Sequence, residues 1–197
     1  MRACGVPEVQ VWLATSDPRH CVAYLTSPPS LVVGAEVAAL PIAVKHRFRL
    51  ARTMFLIREA QWGAAGLIGP TELALALAAG IREGLDALPP GTTATEREPI
   101  EAEARRLRKA MPRREREQLR GVAKAFLDRA AHFDPRLHVA AVHSAAVRSA
   151  LLVCGDAEAS LGETSAEFSA RSNEVVDLVR FILSDEYQTL RKEFGWA

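Results

Sequence analysis

The sequence predicts an α+β fold that is mostly helical, with a small N-terminal antiparallel or mixed sheet packed on one long central helix and a helical C-terminal half. Three observations carry this. Short runs rich in β-branched and aromatic residues fall early in the chain, at Glu8–Ala14 (EVQVWLA), Cys21–Thr26 (CVAYLT) and Ser30–Val33. A stretch without breakers follows from Pro41 to Gln61, with apolar residues at helical spacing. Beyond it, helix-length amphipathic segments are separated by Gly, Pro or Ser punctuation.

Taken in order, the first two runs flank the turn-forming cluster SDPRH and read as an antiparallel hairpin. The third run follows Pro28-Pro29, suited to a sheet edge or the entry to a strand, and closes at Gly34. Pro41 suits the first turn of a helix, where its missing N–H is no loss. Along that helix Leu50, Met54 and Ile57 form one stripe and Phe48 and Phe55 a neighbouring one, so it is expected to be central and largely buried. Gly63, Gly66 and Gly69-Pro70 mark a loop. Thr71 then caps a helix over 72–88, ended by Pro89-Pro90-Gly91, and the stretch PPGTTATEREP reads as a mobile loop.

Two charged amphipathic helices come next, over 100–110 and 113–132, divided by Pro112. Leu119, Val122, Phe126 and Ala130 make the apolar face of the second. An apolar helix spans 137–153 and stops at Gly155, and a polar segment rich in Ser, Thr and Glu follows. Helices over 173–183 and 185–194 close the chain, with Ser172 and Ser184 as N-caps and Gly195 as the stop. The expected organisation is one globular unit: a core over 1–156 with a charged helical insertion at about 96–132, then a helical extension over 157–197.

Composition narrows the function classes. The chain has 197 residues, with 25 Lys and Arg against 24 Asp and Glu, a formal charge of +1. That total draws it neither to nucleic acid nor to an anionic membrane. Cys4, Cys21 and Cys154 form no CxxC pair and suit reduced thiols in a cytoplasm. The N-terminus lacks a signal-peptide pattern. The longest apolar candidate for a membrane span, around Leu67–Leu88, is interrupted by Glu72, Arg82, Glu83 and Asp86. No membrane partner is expected.

Catalytic motifs are absent: there is no GxSxG, no GxxxxGK[ST] and no GxGxxG after a strand. The histidines are His20, His46, His132, His138 and His143, and no two lie four apart as a helical zinc pair requires. Separate surface or core histidines are the ordinary explanation. The basic segment Arg105–Arg120 (RRLRKAMPRREREQLR) is interleaved with Glu115 and Glu117 and preceded by Glu101 and Glu103. Many opposite charges there stand three or four apart, as on a solvated helix face, and aromatics for base stacking are missing.

The order of elements resembles the core of gluzincin metallopeptidases, nearest to the HtpX-like and CAAX-prenyl-peptidase-like enzymes. The likeness rests on VQVWLATSDPRHCVAYLTSPPSLVVGAEV as the strand-to-helix passage and HSAAVRSALLVCGD as the second helix, covering Val9 to Asp156. In that family the central helix carries HExxH, and a later helix supplies a glutamate ligand with an aspartate four residues on. Here the HExxH window falls on Arg52-Thr53-Met54-Phe55-Leu56. Arg52 has no lone pair for zinc, Thr53 is no general base at neutral pH, and Leu56 cannot ligate. His143 falls at the glutamate position and Val147 at the aspartate. The resemblance therefore implies a catalytically dead site holding no metal or cofactor, with Arg52 facing His143 under a strand edge.

The function this suggests is a non-catalytic protein-interaction module, of the kind found in longer bacterial helical-repeat proteins. It would engage a protein partner, or other domains of a longer chain, by strand addition at Ser30, Leu31, Val32 and Val33. The aromatic set Phe181, Tyr187, Phe194 and Trp196 offers a second surface, or simply docks on the core. Three alternatives stay open: a coincidental likeness in a plain sheet capped by helices, a zinc hydrolase using His46, His138 and His143, and a nucleic-acid module using Arg105–Arg120.

Overall fold

The computed structural model describes residues 8–63, 67–129, 133–193 and 195, with side chains omitted for 59–63. Cys4, Ala130, His132, Phe194 and Trp196 lie outside the described residues. The chain forms two compact units: residues 1–67 with 139–197, and residues 68–138. The segment expected as an insertion, 96–132, falls in the second unit, and 157–197 falls in the first together with the sheet.

In the first unit, strands β1 (Gln10–Ala14), β2 (Cys21–Tyr24) and β3 (Ser30–Gly34) form a mixed sheet in the order β1-β3-β2. The expected β1–β2 hairpin does not form. β3 enters between the two, parallel to β1 with Trp12 beside Val32, and antiparallel to β2 with Val22 beside Val32. β3 is the most completely buried of the three strands, in keeping with its doubly paired central place. The connection over 15–20 must therefore cross two inter-strand spacings, roughly 10 Å. It does so over Gly34, where a Cβ would lie 2.3 Å from the carbonyl oxygens of Asp17 and Pro18. Gly34 N–H donates to the His20 carbonyl at 2.8 Å, and Glu36 N–H to the Pro18 carbonyl at 2.8 Å. Glycine is required here for close approach, since its φ of −82° suits any residue.

The central β3 also overturns strand addition at Ser30–Val33. Both backbone edges of that strand are already bonded, and Ser30, Leu31 and Val33 are buried.

After the single-turn helix α1 (Ala35–Ala38), α2 spans Val44–Gly63. It begins three residues later than Pro41 suggested, with the Ala43 carbonyl accepting the His46 and Arg47 N–H groups. As expected, α2 is central. Met54 and Ile57, with Leu50 beside them, pack on Leu31 and Val33 of the sheet. Phe48 and Ala51 join a second cluster with Val147, Ala150, Leu151 and Cys154 of α6 (Pro135–Cys154). That cluster is completed by Leu178 and Phe181 of α8 (Asn173–Ile182) and Tyr187 of α9 (Asp185–Glu193). Phe181 and Tyr187 are thus core residues, their rings 5.4 Å apart. Ser172 and Ser184 cap these two helices as predicted, accepting from Val175 at 3.3 Å and Tyr187 at 3.2 Å.

The polar segment after Gly155 is not irregular. It forms α7 (Ala157–Phe168), capped by Asp156, which accepts the Ala159 N–H at 2.8 Å. The buried hydroxyls of Ser160 and Thr164 donate to the carbonyls of Asp156 and Ser160, at 2.6 and 2.7 Å, so neither is left unpaired. Among the described residues one helix, α6, is long and apolar enough to cross a bilayer by length and composition. It carries six of the buried core residues.

The second unit holds α3 (Pro70–Leu85), α4 (Ala94–Ala110) and α5 (Arg113–Arg129), with α3 packed against both others. α3 starts at Pro70, not after Thr71, and ends where Asp86 turns left-handed at φ 54°. The expected loop at PPGTTATEREP is largely the start of α4. Glu96 accepts both the Thr93 N–H at 2.8 Å and its hydroxyl at 2.6 Å, tying the chain into the first turn.

Replacing Gly34 by Ala should destabilise the chain by about 1–3 kcal/mol, the range for overpacking, because the Cβ meets backbone that cannot rotate away. Urea unfolding measures it. A cost near zero would show that the 15–20 connection does not press on β3.

Candidate functional site

The candidate site lies in the first unit, where α2 and α7 run past each other. The i,i+3 spacing of Arg49 and Arg52 puts both guanidiniums on one face of α2, and the i,i+4 spacing of Glu163 and Glu167 does the same for two carboxylates on α7. Arg49 Nε donates to Glu163 and Arg52 Nη1 to Glu167. The two pairs form a ladder between the helices.

Arg52 also reaches α6. Its Nη2 lies 3.4 Å from Nδ1 of His143. A guanidinium can only donate, so the imidazole nitrogen must accept, and its lone pair is turned toward a cation that is already there. Phe168 closes the group. The Arg52 guanidinium stands 5.1 Å over its ring, and the His143 ring meets it edge-on at 6.4 Å. The Nε of Arg52 is buried without a hydrogen-bond partner, a cost accepted at this position. Thr53 is buried and faces the sheet, its hydroxyl 3.5 Å from the Cys21 sulfur on β2. Burial, the largest influence, raises the Cys21 thiol above its ordinary value against the opposing Thr53 hydrogen bond and the charges of Arg49 and Arg52. Cys21 is therefore not a poised nucleophile.

These groups border a cleft of about 290 Å³ that includes Arg19, Cys21, Arg49, Arg52, Glu163 and Glu167. Its charges are matched almost one to one, so it presents neither a cation cage nor an uncompensated anion site. Of the residues singled out from the sequence, Arg52 and His143 come together and Thr53 stands beside them. Leu56 and Val147 do not line the cleft: both are buried, and Val147 belongs to the core between α2 and α6. Glu163 and Glu167 were missed because their segment was not read as helix, although the Asp156 cap and their four-residue spacing were visible.

Among the described residues no three His, Cys, Asp or Glu side chains group closely enough to hold a metal ion. Of the set His46, His138 and His143, the first and last lie in the first unit and His138 in the second. His46 is buried, and its Nδ1 has no hydrogen-bond partner. In the second unit three residues of the basic segment pair with acids. Arg106 pairs with Glu103 at 2.7 Å, Arg113 with Glu117 at 3.1 Å, and Arg108 crosses to Glu83 of α3 at 2.9 Å. A separate apolar cleft of about 280 Å³ there includes Leu77, Ile81, Met111, Val122 and Phe126. No family model, curated protein or solved structure matches the chain.

Burial first, then the charge of Arg52, hold His143 below the ordinary histidine value of 6.5, with Glu167 and Glu174 opposing. A base depressed in the folded state takes up its proton more readily when unfolded, so stability should fall as pH drops below about 6.5. His46, lowered first by burial and then by Lys45 and Arg49, adds to the same slope. Replacing Arg52 by Met should move the His143 titration upward in NMR spectra while that of His46 stays in place. An unmoved His143 would show that the contact is not electrostatically felt.

Proposed function

We propose that this chain is a non-catalytic, peptidase-like module that binds protein partners in the cytoplasm, alone or within a longer bacterial protein. The observation that carries this reading is the meeting of Arg52 with His143. The likeness to gluzincins requires these two positions to face each other across the central and second helices, and they approach to 3.4 Å. The strand beside the central helix is an edge strand, β2, whose Cys21 touches Thr53.

In a working site of that kind the helices present imidazoles and a carboxylate to a divalent cation. Here a permanent cation fills the same space and occupies the lone pair of the one histidine near it. Zinc at that point would be repelled by Arg52, and Glu167 is already paired. Neither Thr53 nor Cys21 can take a proton from water at neutral pH. What remains is a folded scaffold whose hydrolytic position is closed by ion pairs. The partner-binding half of the proposal draws on apolar surface left uncovered elsewhere, on β1 and in the cleft of the helical unit. Nucleic acid is disfavoured as a partner because the basic segment is interleaved with glutamates, which pair with Arg106, Arg108 and Arg113, and carries no aromatic for base stacking.

Two measurements test this reading. The chain, purified without a chelating column, should carry no stoichiometric zinc and cleave no peptide. Rebuilding the motif with Arg52→His, Thr53→Glu, Leu56→His and His143→Glu together should create zinc binding, read by elemental analysis on protein with native near-UV circular dichroism. Zinc in the wild type that is lost on His143→Ala would sink the proposal. A folded quadruple variant that takes up none would remove the family likeness.

A further inference from the structure

β1 is an edge strand without the usual protection. Sheet edges are commonly blunted by charged side chains, proline, a bulge or a covering element. Gln10–Ala14 (QVWLA) has no charge and no proline, and among the described residues nothing pairs with its outer side. Val11, Trp12 and Leu13 are 53%, 57% and 62% exposed. Successive strand residues point to opposite faces, so Trp12 is exposed on one face of the sheet and Val11 and Leu13 on the other. A helix or loop laid on the sheet would cover one face only. An added strand meets both faces and the open backbone together.

The backbone fixes which groups are free. Gln10 N–H donates to the Pro29 carbonyl at 2.9 Å, toward β3. With a period of two, the N–H and C=O of Gln10, Trp12 and Ala14 point inward and those of Val11 and Leu13 point outward. We propose that a second copy of this chain docks here, its β1 antiparallel to the first, about a two-fold axis at Trp12. In that register Val11 faces Leu13 of the other copy and Leu13 faces its Val11. Both are hydrogen-bonded pairs, so every outward N–H and C=O of the two strands is used. The two Trp12 side chains meet as the non-hydrogen-bonded pair, where side chains lie closest. On the opposite face Val11 and Leu13 make apolar contacts with their symmetry mates.

Charge does not oppose this register. Gln10 falls opposite Ala14, and Glu8 falls opposite Ser16, so no like charges are juxtaposed. The strand is complementary to its own two-fold image, as an isologous interface must be. The contact is small, three exposed side chains from each copy. It falls short of the roughly 1,200 Å² of a standard stable interface, so the dimer should be reversible and concentration-dependent rather than obligate.

Sedimentation velocity on the full chain over a concentration series tests this, with three variants. The wild type should pass from monomer to dimer as concentration rises. Val11→Pro removes an outward N–H without touching the β3 ladder, and Leu13→Lys places a charge against its own symmetry mate. Both should stay monomeric with native near-UV circular dichroism, while Tyr24→Lys on the far edge should still dimerise. If Val11→Pro fails to fold, Leu13→Lys, an exposed position, carries the test. A synthetic peptide of residues 8–16 should dissociate the wild-type dimer. A wild type that is monomeric throughout overturns the proposal, as does a dimer that persists in folded Val11→Pro and Leu13→Lys. A monomeric chain that instead takes up an unrelated extended apolar peptide at β1 assigns the edge to another protein's strand, and self-pairing is then wrong.

Discussion

The first unit depends on α2 being buried on two sides. Leu50, Met54 and Ile57 face the sheet, while Phe48 and Ala51 face the helical core. A helix buried on opposite sides cannot rotate about its axis without exposing one apolar set, so the azimuth of every other α2 residue is fixed by packing. Arg49 and Arg52 are delivered to their positions by this constraint. The ion pairs with α7 then finish the arrangement. They are partly exposed, Glu167 about half so, and add modestly to stability after screening. Their stronger effect is on register: a slip of α7 by one turn would leave one arginine or one glutamate without its mate.

The same constraint explains why Arg52 is tolerated. A guanidinium with an unpartnered Nε beside a histidine is not an arrangement that stability alone favours. It persists because the carboxylate of Glu167 and the face of Phe168 enclose the charge, and because moving it would require turning α2 against both cores. The Nδ1 lone pair of His143 is turned toward this fixed cation, 3.4 Å from Arg52 Nη2.

Much of this was legible locally. The long buried helix followed from its two apolar stripes, and Ser172 and Ser184 announced the last two helices. What failed was whatever local pattern does not encode. The runs around Val11, Val22 and Val32 each read correctly as strands, but nothing in them states which is the neighbour of which. Gly34, the residue that lets the connecting loop cross, looks in sequence like a mere strand terminator. The Thr93–Glu96 capping box was present but overshadowed by Pro89, Pro90 and Pro99. Ser160 and Thr164 left the segment with no helical signature beyond its polarity, because composition does not show that hydroxyls can bond back to carbonyls one turn earlier. With that helix went Glu163 and Glu167, half of the ion-pair ladder. Arg52 and His143 were placed together only through the resemblance.

Three helices carry glycines that nothing in the fold demands. At Gly80, Gly121 and Gly162 a Cβ would meet no atom within 4 Å. This is unlike Gly84, where it would lie 3.0 Å from Ala123 of α5. A mid-helix glycine weakens its helix by roughly 0.5–1 kcal/mol relative to alanine, and here no close contact returns it. Two of the three fall in the α3–α5 unit, where the described elements are helices alone. Backbone amides near Gly80 and Gly121 are accordingly where transient opening should begin, so that unit breathes ahead of the sheet-and-helix core to which the chain returns at Val139.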